Sequence, residues 1–295
     1  GPAADSDIAI GSGAQATGSE GSIAIGSATA GDNAVAIGNG SSAAASAVAI
    51  GSGSVANANS TAVNGSATGV NAAAFGGTAS GNNSTAISGT ASQDNCTAVG
   101  GTASGKNSTA VSGTAGGDYS ATFGYASSAT GNYSTALGWG AKAVADNSVA
   151  VGYGSIADRP NSVSVGSVGQ ERQITNVADG TADTDVANMR QIRKVGAMAA
   201  AISGLTPLPY DPRARLQILA SGGDYDGWQA FALGEGYYAH DSLMMTAGMA
   251  FCGSERMARF GLTWKLGHAG KKAAVADSGS DLHLQAALQQ RKAQI

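Results

Sequence analysis

Of 295 residues, 45 are glycine, 12% are charged and 5% are aromatic. Glycine at about twice its ordinary usage, with an apolar 43% made mostly of alanine and valine, excludes an average enzyme-like domain built on a wide core. The net charge is −4, and residues 1–168 hold three Lys or Arg against eight Asp or Glu, so no basic surface for nucleic acid is expected there.

The chain enters a repeat almost at once; no signal peptide is visible, and Gly1-Pro2 reads as a processing or expression remnant. One unit recurs thirteen times, with an apolar anchor at Ile10, Ile25, Ile37, Ile50, Val63, Phe75, Ile87, Val99, Val111, Phe123, Leu137, Val151 and Val165. The spacing is 12 residues through the middle and 14 at the end. Two residues before each anchor stands another apolar or small side chain, such as Ile23, Val35, Thr85 or Val149. This period of two predicts a strand with one buried face, the anchors and their partners pointing inward. Gly after the anchor and Asn-Ser, Asn-Tyr or Gly-Asn pairs before the strand supply corners that tolerate positive φ. The units therefore stack as a β-solenoid. Two aliphatic side chains per coil fall short of the entropy lost in ordering 12 residues, so backbone ladders and burial between chains are expected to supply the remainder, which predicts an oligomer. Cys96 and Cys252 read as free thiols, Cys96 as a tolerated surface or interface replacement for the serines at 84 and 108.

The repeats Gly21-Ser22-Ile23-Ala24-Ile25-Gly26 and Asn147-Ser148-Val149-Ala150-Val151-Gly152 resemble the head of the YadA-like trimeric autotransporter adhesins. The run from Arg172 to Val186 is similar to that family's neck. The resemblance covers residues 1 to about 266 and implies a mainly β chain whose head, 1–168, is a left-handed parallel β-roll from each of three chains. A neck at 169–185 and a coiled-coil or pore helix at 186–206 would follow. From Thr184 the residues agree with a helix: Thr184 can cap, Asp185 suits the N-terminal end, and no proline intervenes before Pro207. Its seam reads Met189, Ile192, Gly196, Ala199, Ile202, shrinking along its length. The family usually places a long stalk here, and this chain has almost none.

Residues 213–266 hold eight of the sixteen aromatics. Turn signals at Gly222-Gly223-Asp224, His240-Asp241 and Gly253-Ser254 divide this stretch into four strands. One face reads Leu216, Ile218, Phe231, Leu233, Tyr237, Met245, Met249, Phe251, Phe260, Leu262, Trp264; the other reads Ala230, Ala232, Gly234, Gly236, Thr246, Gly248, Ala250, Gly261. Four strands cannot close a barrel, but three copies give twelve, with small inward residues leaving room for three helices. This matches the family's membrane anchor, placed at 211–266, in which each chain gives four strands and one pore helix. Glu235 is a misfit on the outward face. A water-soluble four-stranded sheet is the competing reading. The tail, 267–295, with a short helix at Asp281–Ile295, departs from the family, which ends at its last strand.

The three histidines, His240, His268 and His283, lie outside the repeats, so no His-based nucleophile or metal cluster is expected in the head. The chain reads as a non-enzyme without cofactor or metal. What is left is a long, weakly charged surface suited to extended partners. In the family, Asn-Ser-Val-Ala-Ile-Gly-type repeats are associated with collagen and other matrix proteins. The nearest matches are Asn147, Ser148, Val149, Ala150, Val151 and Gly152 with Ser155, and the run from Ser46 to Gly51 with Ser54. With Val149 and Val151 inward, changing them should unfold the roll. The resemblance implies a homotrimer in the outer membrane of a Gram-negative bacterium, inserted by its barrel machinery, with the head on the cell surface. Two other functions stay open. Threonines every 12 residues, at 78, 90, 102 and 114 and at 85, 97 and 109, could order water as an ice-binding ladder does, although the second set shares the anchors' inward parity. The head could also bind heads on neighbouring cells in aggregation.

Overall fold

A computed structural model describes residues 6–266, so the tail at 267–295 and its expected helix lie outside the described residues. The chain divides into two compact units, residues 1–173 and 174–295.

The first unit is a parallel β-solenoid. Three-residue strands from Ile8–Ile10 onward, ending in the two-residue Val163–Ser164, form a 13-stranded sheet, and two-residue strands from Gln15–Ala16 onward form a 12-stranded one, each strand pairing with its counterpart one coil away. Registers are exact from coil to coil, as in Thr85↔Thr97, Ala86↔Ala98, Ile87↔Val99. The corners before the long strands place asparagines in the left-handed region, including Asn83, Asn95 and Asn107 at φ 54 to 58°, which a short polar side chain tolerates best after glycine.

The parity of the coil is the reverse of the sequence expectation. The residue between the two apolar positions is the buried one: Ala24, Ala36, Ala62, Ala86, Ala98, Ala110 and Ala150 are all fully buried. The anchors face outward, with Ile50, Phe75, Ile87, Phe123 and Leu137 each at least 38% exposed. Val149 and Val151 are likewise outward and half-buried around Ala150. The physical reason is width. Two sheets joined by corners of two to six residues enclose a space that alanine and serine fill, and a larger side chain has room only outside. Thr85, Thr97 and Thr109 share the anchors' parity as expected, but that parity is outward, so the objection to a threonine ladder falls away.

Serine lines the inner corner of this column. The hydroxyls of Ser84, Ser108 and Ser120 each donate to a glycine carbonyl three residues earlier, at 2.5 to 2.6 Å. Cys96 occupies the same column; it is buried, with Sγ 2.9 Å from the Gly105 carbonyl and 3.6 Å from Ser108 Oγ, rather than on a surface or interface. A thiol is a bulkier and weaker donor than a hydroxyl. Cys96→Ser is therefore expected to hold or raise the melting temperature, and the native thiol to resist a thiol reagent until the roll unfolds. Modification of Cys96 at the rate of a free exposed thiol would contradict this.

The second unit holds one helix and a four-stranded antiparallel sheet. The helix is Met189–Ser203, and the strands are Leu216–Tyr225, Trp228–His240, Leu243–Cys252 and Glu255–Trp264, in sequential order. The first turn is at Asp226-Gly227, with φ 52° and 82°, not at Gly222-Gly223-Asp224. Asp-Gly is the hairpin pair that accepts positive φ at both positions. Gly223 is instead a strand residue under the helix, where a Cβ would lie 2.3 Å from the Ala201 nitrogen and 2.7 Å from the Ala197 oxygen. The second turn falls at Asp241-Ser242, one residue later than expected; the third falls at Gly253-Ser254 as expected. No helix among the described residues is long and apolar enough to cross a membrane, which leaves a β-barrel untouched.

Candidate functional site

The repeat Asn147 to Ser155 belongs to the last complete coil of the roll. Asn147, at φ 53°, donates from Nδ2 to Asn161 Oδ1 at 2.7 Å. Ser148 is buried and donates to the Ala145 carbonyl at 2.7 Å. Ser155 is buried, donates to the Val151 carbonyl and accepts from Arg172 Nη1 at 2.9 Å. Gly152 lies beneath the same guanidinium, where a Cβ would be 3.3 Å from Nη1. Ser148, Ala150 and Ser155 are thus sealed inside, and the outside of the run presents Asn147, Val149, Val151, Gly152 and the exposed ring of Tyr153. The motif builds a coil and leaves Asn147, Val149 and Val151 on its outside.

Arg172, the first residue of the neck-like run, closes this end of the roll by donating to the Val165 and Tyr153 carbonyls as well as to Ser155. The open corners nearby carry stacked aromatic pairs, Tyr119 on Tyr133 with centroids 5.0 Å apart and Trp139 on Tyr153 at 4.9 Å. With Phe123 and Leu137 between them, these rings widen the apolar outer rows of the long-strand sheet.

The helix starts later than expected. Its N-cap is Asn188, not Thr184: Asn188 Oδ1 accepts from the Gln191 amide at 3.1 Å, and Gln191 Oε1 accepts from the Asn188 amide at 3.3 Å. This reciprocal pair is a capping box, legible in Asn-x-x-Gln spacing. Gln191 also bonds both backbone groups of Gly180, and Asp179 accepts from Asn188 and Arg190, so the preceding segment is tied to the first helical turn. Asp185 serves a local turn, accepting from the amides of Ala182 and Thr181.

Both carboxyls are held below the ordinary value of 3.8, Asp179 chiefly by the Arg190 guanidinium and then Asn188, Asp185 chiefly by the Ala182 amide and then Thr181. A depressed folded pKa contributes stability that is present above 3.8 and lost as pH falls through the lowered value. Amide exchange at Ala182 is accordingly expected to be slow near neutrality and to lose its protection as the solution is acidified below about 3.8, after correction for intrinsic exchange. Protection unchanged by acid, or unchanged in Asp185→Asn, would count against this bond.

Of the five seam residues, Met189, Ile192 and Ala199 are exposed on the helix's open side, joined by Val195. Gly196 and Ile202 are not on an open seam. Gly196 is covered by the Tyr225 ring, 2.7 Å from where its Cβ would stand, and Ile202 is buried against the sheet with Ala197, Met198, Ala201 and Leu205. A seam drawn from spacing alone could not anticipate the side claimed by the helix's own sheet. The expected inward face is confirmed. Ala230, Ala232, Gly236, Thr246, Gly248 and Ala250 are buried, and Gly234 and Gly248 leave the room taken by Leu205, whose Cδ1 lies 2.9 and 2.5 Å from their missing Cβ positions. Arg259 donates from Nη1 to the Ile202 carbonyl at 3.0 Å, placing a cation at the helix C-terminus, where the dipole favours it. The expected outward face is equally clear: Leu216, Ile218, Phe231, Phe260, Leu262 and Trp264 are all more than half exposed. Glu235 stands among them, between Ile218 and Ala247 in the cross-strand register. Among the described residues no group of three His, Cys, Asp or Glu is placed to hold a metal.

The family profile described as the YadA head domain repeat matches residues 4–29, 26–41, 115–141 and 143–167, and the coiled stalk of trimeric autotransporter adhesin matches residues 173–206. This chain is a YadA-like trimeric autotransporter adhesin. The crystal structure of the collagen-binding domain of the Yersinia adhesin YadA is 26% identical, with 64% of this chain and 97% of that one covered and a TM-score of 0.22. Membership follows from the head and stalk matches. No curated protein matches. The YadA-like adhesins are in general non-enzymatic, surface-displayed proteins.

Proposed function

We propose that this chain is a surface adhesin of a Gram-negative bacterium, delivered by type V secretion, in which three copies close a 12-stranded outer-membrane barrel around three helices. The domains would be the head at 1–168, the neck at 169–185, the helix at 186–206 and the anchor at 211–266. The observation that supports this most is the four-stranded sheet. Its outward face is aliphatic and aromatic, its inward face is small and covered by a helix, and its first and last strands each have a free edge within one chain. A barrel removes such edges, and a single chain has too few strands to close one. The barrel-insertion machinery of the outer membrane is then a partner during biogenesis.

The head's ligand is a host extracellular-matrix protein such as collagen, or the host-cell surface, approached at the corner around Asn147, because Val149 and Val151 lie in the outward row whose burial comes between chains. The head-repeat match at 143–167 spans these residues, and the surface is long, regular and weakly charged. Self-aggregation through the same head is the second outcome to measure. Mass determination in mild detergent, with and without residues 211–295, tests the assembly. The intact protein is expected at three times its 28.6 kDa chain mass, and a monodisperse folded single chain would overturn the proposal. Saturable binding of the intact trimer to immobilised collagen tests the ligand, and unchanged binding by Asn147→Ala would move the contact elsewhere on the head.

A further inference from the structure

The coils of the roll are not all alike. Around Ile50 and Phe123, four residues separate the long strand from the short one: Gly51-Ser52-Gly53-Ser54 and Gly124-Tyr125-Ala126-Ser127. In the five coils between them, two residues do the same work, as with Ser88-Gly89 between Ile87 and Thr90. The clipped corners leave a trough along the roll, a cavity of about 610 Å³ running across successive coils. Its floor is glycine backbone. At Gly77, Gly89 and Gly101 a Cβ would lie 2.5 to 2.6 Å from the next coil's carbonyl oxygen, so the stacking of the coils excludes side chains there.

The walls are neutral and polar: Thr78, Thr90 and Thr102 on one side, Asn64 and Ser88 toward the other, with no charged or aromatic residue lining the cavity. The threonines are in register from strand to strand and exposed, which puts one hydroxyl on each rung, about 4.8 Å apart. Their backbone amides are already used within the roll, Thr78 to the Gly89 carbonyl and Thr90 to the Gly101 carbonyl, both at 2.9 Å. Among the described residues their hydroxyls, and that of Ser88, hold no protein partner. The trough therefore offers side-chain donors and acceptors and no free strand edge, so an added β-strand has nothing to pair with. The family head repeat matches residues up to 41 and from 115 onward, leaving these clipped coils outside it.

We infer that this trough is a binding site for a linear neutral polysaccharide, separate from the surface around Asn147. A glycan chain is extended, presents hydroxyls along its length and exchanges both donor and acceptor bonds with Ser, Thr and Asn. The absence of any lysine or arginine in the lining, in a head whose net charge is −5, disfavours sulfated or uronic-acid chains.

Calorimetric titration of the intact chain in mild detergent with cellohexaose and chitohexaose tests this, with a heparin hexasaccharide as the anionic control. Saturable binding of at least one neutral hexasaccharide is expected. The variant Thr78→Val, Thr90→Val, Thr102→Val should lose at least about tenfold in affinity, the equivalent of one or two hydrogen bonds. Its melting temperature should not change, since these hydroxyls bond to nothing in the roll, and Asn147→Ala should bind as the parent does. Failure of the parent to bind either neutral sugar, equal binding by the triple variant, preference for heparin, or thermal hysteresis without sugar binding would each overturn the assignment. Detergent mass and collagen binding are read separately, so loss of the adhesin reading would not be mistaken for loss of this one.

Discussion

Changing Ala98 to leucine is expected to prevent the central coils from folding, whereas changing Ile87 to serine is expected to leave the roll intact and weaken the trimer. Ala98 is fully buried and stacked in register between Ala86 and Ala110. Three added carbons have nowhere to go in a column whose rungs are about 4.8 Å apart. Overpacking a core costs about 1–3 kcal/mol where the backbone can shift, and here a shift would break the ladders to both neighbouring coils. Solenoid stability is carried by such nearest-neighbour interfaces, so one blocked rung divides the array. Ile87, by contrast, is 43% exposed on the outward row. Burying a side chain of this kind stabilises by about 1.5–3 kcal/mol, and in this fold that burial is available only between chains. Circular dichroism melting and mass in detergent separate the two effects: Ala98→Leu should lose the β signal, and Ile87→Ser should retain it at a lower trimer stability. The opposite pair of results would restore the inward placement of the anchors.

Gly223→Val is expected to expel the helix from its sheet. The missing Cβ of Gly223 lies against backbone, 2.3 Å from the Ala201 nitrogen and 2.7 Å from the Ala197 oxygen, so no rotamer change can relieve the contact. The helix would have to move by more than an ångström, uncovering Ala197, Met198, Ala201 and Ile202 together. Losing several such contacts amounts to more than about 5 kcal/mol, enough to lower the melting temperature of the assembly by many degrees. Heated-gel mobility and limited proteolysis between residues 204 and 215 would report this. Gly227→Ala supplies the contrast: it sits in the Asp226-Gly227 turn with open space around it, and its cost is confined to a positive φ of 82°. A Gly223→Val protein as heat-resistant as the parent would mean that the helix does not seat there.

The division between what could be read and what could not follows from which forces are local. Corners demand residues that tolerate positive φ, and strands demand period two; both are properties of a few consecutive residues, so the thirteen repeats, their register and the four C-terminal strands with their two faces were legible. Face assignment in the roll was not. Alternation says that two faces differ, and the habit of placing the larger apolar residue inside put Ile87 and Val99 in a core that holds only Ala86 and Ala98. In the same way Gly222-Gly223 looked like a turn, because the reason for glycine there is a helix some 20 residues away in sequence. Thr184 and Asp185 looked like a helix start, although the capping box at Asn188 and Gln191 was present in the spacing.

By itself, then, the amino-acid sequence determined that the chain coils in repeating steps, passes into a short helix and four amphipathic strands, and carries more outward hydrocarbon than one copy can cover. Only the tertiary structure decided which side of each strand is inside, that Cys96 belongs to an interior serine column, that Gly196 and Ile202 serve the chain's own sheet, and that the clipped corners leave a trough. Periodicity is a property of the backbone path, whereas inside and outside depend on the distance between elements, and that distance exists only once the coils have closed.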